Sequence, residues 1–282
     1  MDQINVKAWE GRSQTDEGGI SAGMAAQIHA TLGAPRTPAP GTGQNLPPLW
    51  HWCAFPPTAP MDELGADGHP ALGQFLPPSD LRRRMWAGGS LNFYAPLRVG
   101  ERLQRRSVLR SVKEKQGKTG PMMFVQVDHK VYGERGLAVE ERQDIVYLQI
   151  PNSYAPPAKQ PLPVDPVLHR VVPMSETLLF RYSAITFNAH RIHYDQAYAR
   201  DVEHYPGLVV HGPLQATLLM QAACAHKGRC PVQFDFRGVH PVFHGDALDI
   251  MACEDEDGNL ALCTGQAGHQ GMQAHAMWEG TL

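Results

Sequence analysis

Paired cysteines are missing from this sequence. Cys53, Cys224, Cys230, Cys253 and Cys263 are scattered, odd in number and include no CxxC. Such a set suits a reducing compartment better than a disulfide framework, so a cytoplasmic setting is expected. An excess of one charge is missing too. The formal net charge is -3, which gives no general pull towards nucleic acid or an anionic membrane. No apolar run reaches the length of a membrane span, and the first ten residues hold no signal-like apolar core. What is present describes a globular protein. Its 282 residues, 43% hydrophobic and 19% charged, suffice for one large core or two ordinary domains.

Taken in order, residues 21–33 read as a helix that Ser21 caps and Gly33 ends. Residues 34–80 are rich in Pro and Gly and hold an aromatic knot at Trp50, Trp52 and Phe55. A loop of that length with buried-type aromatics reads as packed cover. Strand-like runs come next at 90–95, 103–112, 123–132 and 144–150, separated by Val99-Gly100, Gly117–Gly120 and Gly133–Gly136. They suggest an antiparallel meander. Residues 151–166 carry six prolines and read as a stiff connection between domains. The second half offers strand runs at 233–237, 247–253, 260–264 and 273–278. Pro96–Leu103 and Pro241–Leu248 share the pattern P-x-x-x-G-[ED]-x-L, 145 residues apart, close to half the chain. With strands in both halves, this favours two fused copies of one α+β unit, over residues 1–150 and 167–282.

The densest chemistry lies in Phe180–Asp195, where Ser183, Thr186, Asn188, His190, Arg191, His193 and Asp195 crowd together. Gly207–Pro213 and the apolar, helix-like segment 214–225 come next. A polar loop against the N-terminus of a buried helix can hold an oxyanion on free backbone N–H groups and the positive dipole end.

Phe187-Asn-Ala-His-Arg-Ile-His193 resembles the G-D-x-N-P-L-H signature of the MaoC-like, or hydratase 2, enoyl-thioester hydratases. Leu208-Val-Val-His-Gly212 is similar to that family's P-I-L-H-G. Trp86–Gly89, Pro96–Leu103 and Glu140–Tyr147 resemble the first MaoC-type domain of a subgroup. That subgroup holds mesaconyl-C4-CoA and itaconyl-CoA hydratases and the type 2 hydroxyacyl-thioester dehydratases. The resemblance implies a double hot dog fold, two antiparallel sheets each wrapped on a helix. It also implies one active site, in the second unit, with the first unit non-catalytic. Two departures stand out: Asn188 fills the signature's Asp position and His190 its Asn position.

Hydration beside a thioester needs a positioned water that loses a proton, a proton for the α-carbon, and a stabilised thioester oxygen. The resemblance gives His193 the proton work, for which imidazole is suited. The plainer alternative is a core histidine tied to a backbone carbonyl. Asn188 can orient water without taking its proton. Either His193 is then sole base and acid, or Asp195 substitutes; Asp195 reads better as a helix cap. Gly212 is the expected oxyanion donor, with Pro213 opening the helix. His190, Ser183 and His211 are expected to line the substrate, and Arg237 or Arg82–Arg84 to reach coenzyme A phosphates. Arg191 can pair with a second carboxylate on the acyl chain, or brace the loop against Asp195. The histidine spacing, without Cys or acidic partners, suggests no metal.

The expected function is hydration of a short, dicarboxylic enoyl-CoA, or the reverse dehydration. The alternatives are a dehydratase of ordinary acyl chains, a thioesterase, and a non-catalytic acyl-thioester-binding module. No cofactor is expected beyond the coenzyme A of the substrate. The expected partners are that acyl-CoA and a second copy of the chain as a homodimer, with neither nucleic acid nor membrane.

Overall fold

The computed structural model describes residues 5–33, 37–117 and 120–279. Ten strands form one antiparallel sheet: β1 (Ser13–Gly18), β2 (Arg83–Phe93), β3 (Leu103–Gly117), β4 (Gly120–Gly133), β5 (Gly136–Leu148), β6 (Leu168–Val172), β7 (Gln233–Gly238), β8 (Leu248–Glu254), β9 (Leu260–Gln266) and β10 (His269–Met277). The spatial order is β1-β3-β4-β5-β2-β7-β10-β9-β8-β6. Read outwards from its centre, each half repeats one order: second strand, fifth, fourth, third, first. Gly88–Asn92 of β2 join Gln233–Arg237 of β7, closing the halves into one sheet.

The shared sequence pattern marks equivalent places. Leu103 opens β3 and Leu248 opens β8. The pattern's glycines, Gly100 (φ 87°) and Gly245 (φ 96°), both turn through the left-handed region. Gly100 donates its N–H to Ile20 O at 2.8 Å, and Gly245 to Met174 O at 2.9 Å. Each acceptor precedes a capping serine. Ser21 caps α1 (Ala22–Leu32) and Ser175 caps α2 (Glu176–Thr186) through their hydroxyls.

Beyond those two helices the halves diverge. In the second, α3 (Gln196–Asp201) and then α4 (Gly212–Lys227) precede β7. Leu214, Ala216, Leu219, Met220, Ala222 and Ala223 bury α4 in the main core, where it touches β8, β9, β10, β2 and β7. Its buried Gln215 accepts from the Thr264 hydroxyl at 2.7 Å. In the first half no such helix forms between α1 and β2 among the described residues. The segment is irregular, with single 3-10 turns at Trp50–Cys53 and Met61–Glu63. Leu49, Trp50, Cys53 and Phe55 nevertheless enter the core, as packed cover should. Phe75 and Leu76 cover a second cluster around Leu109, Val125 and Val127.

The expected helix at 21–33 and the main strands form. The meander holds for β3, β4 and β5, whereas β2 crosses over to pair with β5. The two centre residues of the expected turn at Gly117–Gly120 lie outside the described residues. Edge strands β1 and β6 escape a reading by alternation. β1 is polar throughout, and Asp16 and Glu17 pair with Arg105 and Arg102 of its neighbourhood. No helix among the described residues is long and apolar enough to cross a membrane.

Candidate active site

The polar loop begins where α2 stops. Phe187 takes a left-handed conformation (φ 51°) and the Asn188 N–H returns to Ser183 O at 2.8 Å. The side-chain oxygen of Asn188 accepts from the His190 N–H at 3.0 Å. One 3-10 turn, Arg191–His193, then leads into Asp195, which caps α3 by accepting the Tyr198 N–H at 3.0 Å. The cap reading of Asp195 therefore holds, and its carboxylate is not free to replace the family's Asp.

His193 is buried, with its ring stacked on His211 at 3.6 Å between centroids. Its Nδ1 lies 2.7 Å from Val209 O. A carbonyl only accepts, so Nδ1 carries the proton and Nε2 is left as the basic nitrogen. Burial, then the neighbouring His211 and His190, push its pKa well below 6.5. His193 is thus what the plainer expectation describes, a core histidine on a backbone carbonyl, and that bond leaves Nε2 as its unprotonated nitrogen. Gly212 opens α4 beside it, with Pro213 in the first turn and no side-chain cap at His211. The helix presents its N-terminal dipole and unbonded N–H there. A Cβ on Gly212 would lie in ordinary contact with Trp86 O at 3.6 Å and the Met272 methyl at 3.9 Å.

The remaining expectations divide. His190 and His211 sit with His193, and His190 meets it edge-on at 5.3 Å. Ser183 is engaged inside the core, its hydroxyl 2.9 Å from His211 Nε2. Burial brings His211 down to about 3, so it packs as a neutral ring. Arg191 braces. Its guanidinium makes two bonds to one Asp195 oxygen at 2.7 and 3.1 Å, donates to Ala66 O and covers the Tyr198 ring. A guanidinium so engaged has little left for a substrate carboxylate. Arg237 is not brought to the cluster at all. Phe234 and Phe236 of β7 point into the core, so alternation sends Arg237 to the opposite face, where it donates to Gln273. Arg83 is engaged by Glu203, whereas Arg82 and Arg84 line a groove.

Two further residues beside the cluster come from the first half and carry no motif. In the loop read as cover, Asp67 and His69 lie against the second half's loop. The His69 ring is 4.1 Å from that of His190, and Arg191 N–H donates to Asp67 O at 2.9 Å. Among the described residues, Asp67, His69 and His190 have donor atoms near enough together, within 4.8 Å, to hold a cation. Buried Glu203 adds an unpartnered oxygen 3.9 Å from the equally unpartnered Nε2 of His190. The only sequence signal is an Asp-Gly-His triplet in a Pro- and Gly-rich stretch, with nothing to say where it would land.

The sequence profile of the hydroxyacyl-thioester dehydratase type 2 family matches residues 49–244. The mesaconyl-C(4)-CoA hydratase of Chloroflexus aurantiacus is 44% identical over 276 residues, covering 93% of this chain and 97% of that protein. A MaoC-like dehydratase structure from Phytophthora capsici superposes with a TM-score of 0.74 at 12% identity, over 98% of each chain. A Mycobacterium tuberculosis structure described as a double hotdog fold gives 0.59 at 14% identity, over 95% of each. At such identities these structures speak for the fold alone. A profile match across most of the sequence, together with a relative of 44% identity, places this chain in the hydroxyacyl-thioester dehydratase type 2 family, hydro-lyases of MaoC-like type built on a double hot dog fold.

Proposed function

We propose that this protein adds water across the double bond of a short, dicarboxylic enoyl-CoA of the mesaconyl-C4-CoA type, or removes it. The carrying observation is His193 held on Val209 O and stacked on His211, the residue before the N-terminus of α4 at Gly212. In this reading the thioester oxygen takes the Gly212 N–H and the conjugated double bond is served by Nε2 of His193, which moves the proton between water and the α-carbon. The 44% identity to a mesaconyl-C(4)-CoA hydratase supports the substrate class. In this proposal residues 167–282 carry the reacting groups, 1–150 form a unit without a centre of its own, and 151–166 join them. The free carboxylate of the acyl group goes to Arg84 rather than Arg191. Arg84 lines the groove with Asp67 and His69, and its positive charge contributes to depressing the pKa of His69.

The test is a panel of enoyl-CoA thioesters, mesaconyl-C4-CoA and crotonyl-CoA among them, with loss of the conjugated absorbance followed. Turnover favouring the dicarboxylic member is expected, and Arg84→Met should narrow that preference. No absorbance change with any member removes the proposal; release of free thiol instead indicates a thioesterase.

A further inference from the structure

We propose that His69, oriented by Asp67, is the second hydrogen-bond acceptor for the attacking water, the place left empty by an amide at Asn188. The proposal rests on the hydratase reading above. An attacking water offers two hydrogens. Nε2 of His193 can take one, and a second acceptor must fix the other if the oxygen's lone pair is to face the β-carbon. Asn188 is poorly placed for this. Its oxygen is already engaged by the His190 N–H, and its amide nitrogen only donates.

Asp67 and His69 have the required chemistry. One carboxylate oxygen of Asp67 accepts the His69 backbone N–H at 3.0 Å, and the other lies 2.9 Å from His69 Nδ1. The acceptor-only carboxylate fixes the proton on Nδ1 and leaves Nε2 as acceptor. Burial would raise the Asp67 carboxyl, but the bonds and charge of His69 hold it at about 2. Burial, then His190 and Arg84, bring His69 down to about 3, so the pair stands as carboxylate and neutral imidazole. Its position is set by close contact with the reacting loop. Gly68 has a φ of 90°, and a Cβ there would come within 1.9 Å of Ala189 O. Only glycine lets the Asp67–His69 turn press so near. The two loops are then tied by Arg191 N–H to Asp67 O and by the Arg191 side chain to Ala66 O. The His69 ring, about one-fifth exposed, lines the groove on one side and lies 4.1 Å from His190 on the other.

The protons balance without a further reactant. As the water oxygen bonds to the β-carbon, one proton passes to Nε2 of His193. The double-bond electrons move to the α-carbon and thioester oxygen, whose charge the Gly212 N–H holds. His193 then gives that proton to the α-carbon. The other hydrogen never leaves its oxygen; it becomes the product hydroxyl, bonded to Nε2 of His69.

Asp67→Asn is the discriminating variant. The backbone N–H of His69 forces the new amide oxygen to face it, so the NH2 group must face the ring. It then donates to Nδ1, drives the ring proton to Nε2 and turns the acceptor into a donor, while the shape of the pair is kept. Steady-state kinetics on mesaconyl-C4-CoA should show kcat lowered roughly 10²-fold, with KM changed by less than about threefold and Tm unchanged. His69→Leu should lose at least as much, and the double variant no more than His69→Leu alone, because Asp67 acts through His69. Several results overturn the proposal: Asp67→Asn within twofold of native kcat; equal falls in activity and Tm, which mark a structural clamp; or activity lost to a chelator and restored by zinc, which makes Asp67, His69 and His190 a metal site. A native protein inactive on every enoyl-CoA overturns the hydratase reading and this one with it. A native protein that is active, with indifferent variants, overturns this one alone.

Discussion

The two halves of this molecule have the same strand order and put the same turn at the same place, yet among the described residues only the second lays a long helix on the sheet. In the second half, sixteen residues of α4 lie on the sheet, with Gly212 at their start. In the first, the chain between α1 and β2 makes single 3-10 turns, and the space is filled by Leu49, Trp50, Phe55 and a buried polar cluster. There His51 lies 3.2 Å from Glu141, which also accepts from Trp52 and Gln143. Both halves thus bury histidines among polar partners. In the second they gather at the start of a long helix; in the first His51 closes on the Glu141 carboxylate and His129 on the Ser107 hydroxyl. A duplicated sheet supplies the frame, and the second half's histidine cluster lies where a long helix begins. The half without that helix is freed to send a loop across.

The sharpest way to break this contrast is His193→Ala. Turnover should fall roughly 10²–10⁴-fold, the usual worth of general acid–base help; a folded variant with near-native turnover would leave the second half without its centre. Next, Gly68→Ala sets a side chain against Ala189 O and strains a positive φ. Activity should drop about tenfold or more, a loss seen in kcat, if the first half's loop completes the site. His51→Ala addresses the other side. Turnover per folded molecule should stay within about twofold, while Tm falls, because Glu141 loses a partner in a buried place.

The same cluster predicts a pH effect. Burial alone would raise the Glu141 carboxyl, but His51, His129 and Gln143 hold it at about 2, against an ordinary 4.5. A depressed folded-state pKa contributes stability that is present above 4.5 and lost as pH falls towards 2. Melting curves across that range should flatten in Glu141→Gln, and equal slopes would remove the cluster from the acid response. The smallest expected effect is Arg191→Met. As a brace bonded to Asp195 and Ala66, its loss should slow mesaconyl-C4-CoA and crotonyl-CoA alike, by a few-fold. Selective loss on the dicarboxylic substrate would restore Arg191 to the recognition of the acyl chain.

Much is legible because it is local or periodic. Ser21 and Gly33 bound a helix; Gly133 and Gly136 make a hairpin; the Pro96 and Pro241 turns announce a repeat. His193 is legible through its motif, and Asp195 as a cap through the residues after it. The misreadings are of direction and distance. For Arg191 the sequence left a substrate carboxylate and Asp195 both open, and its guanidinium lies on Asp195. Arg237 comes after a Phe-x-Phe whose period, taken one residue further, sends it to the outer face.

Residues a few positions apart were enough to specify the strands, the duplicated unit, the buried helix and the histidine proposed for the proton work. Three other features depend on the folded chain. They are the absence, among the described residues, of a second α4 after α1, the hold of Val209 O on the tautomer of His193, and the place of Asp67 and His69 beside His190, more than one hundred residues away in sequence. Spacing along a chain constrains neighbours on one helix or strand. The meeting of two loops from opposite halves depends on how the sheet closes between β2 and β7 and on a glycine small enough to let them touch.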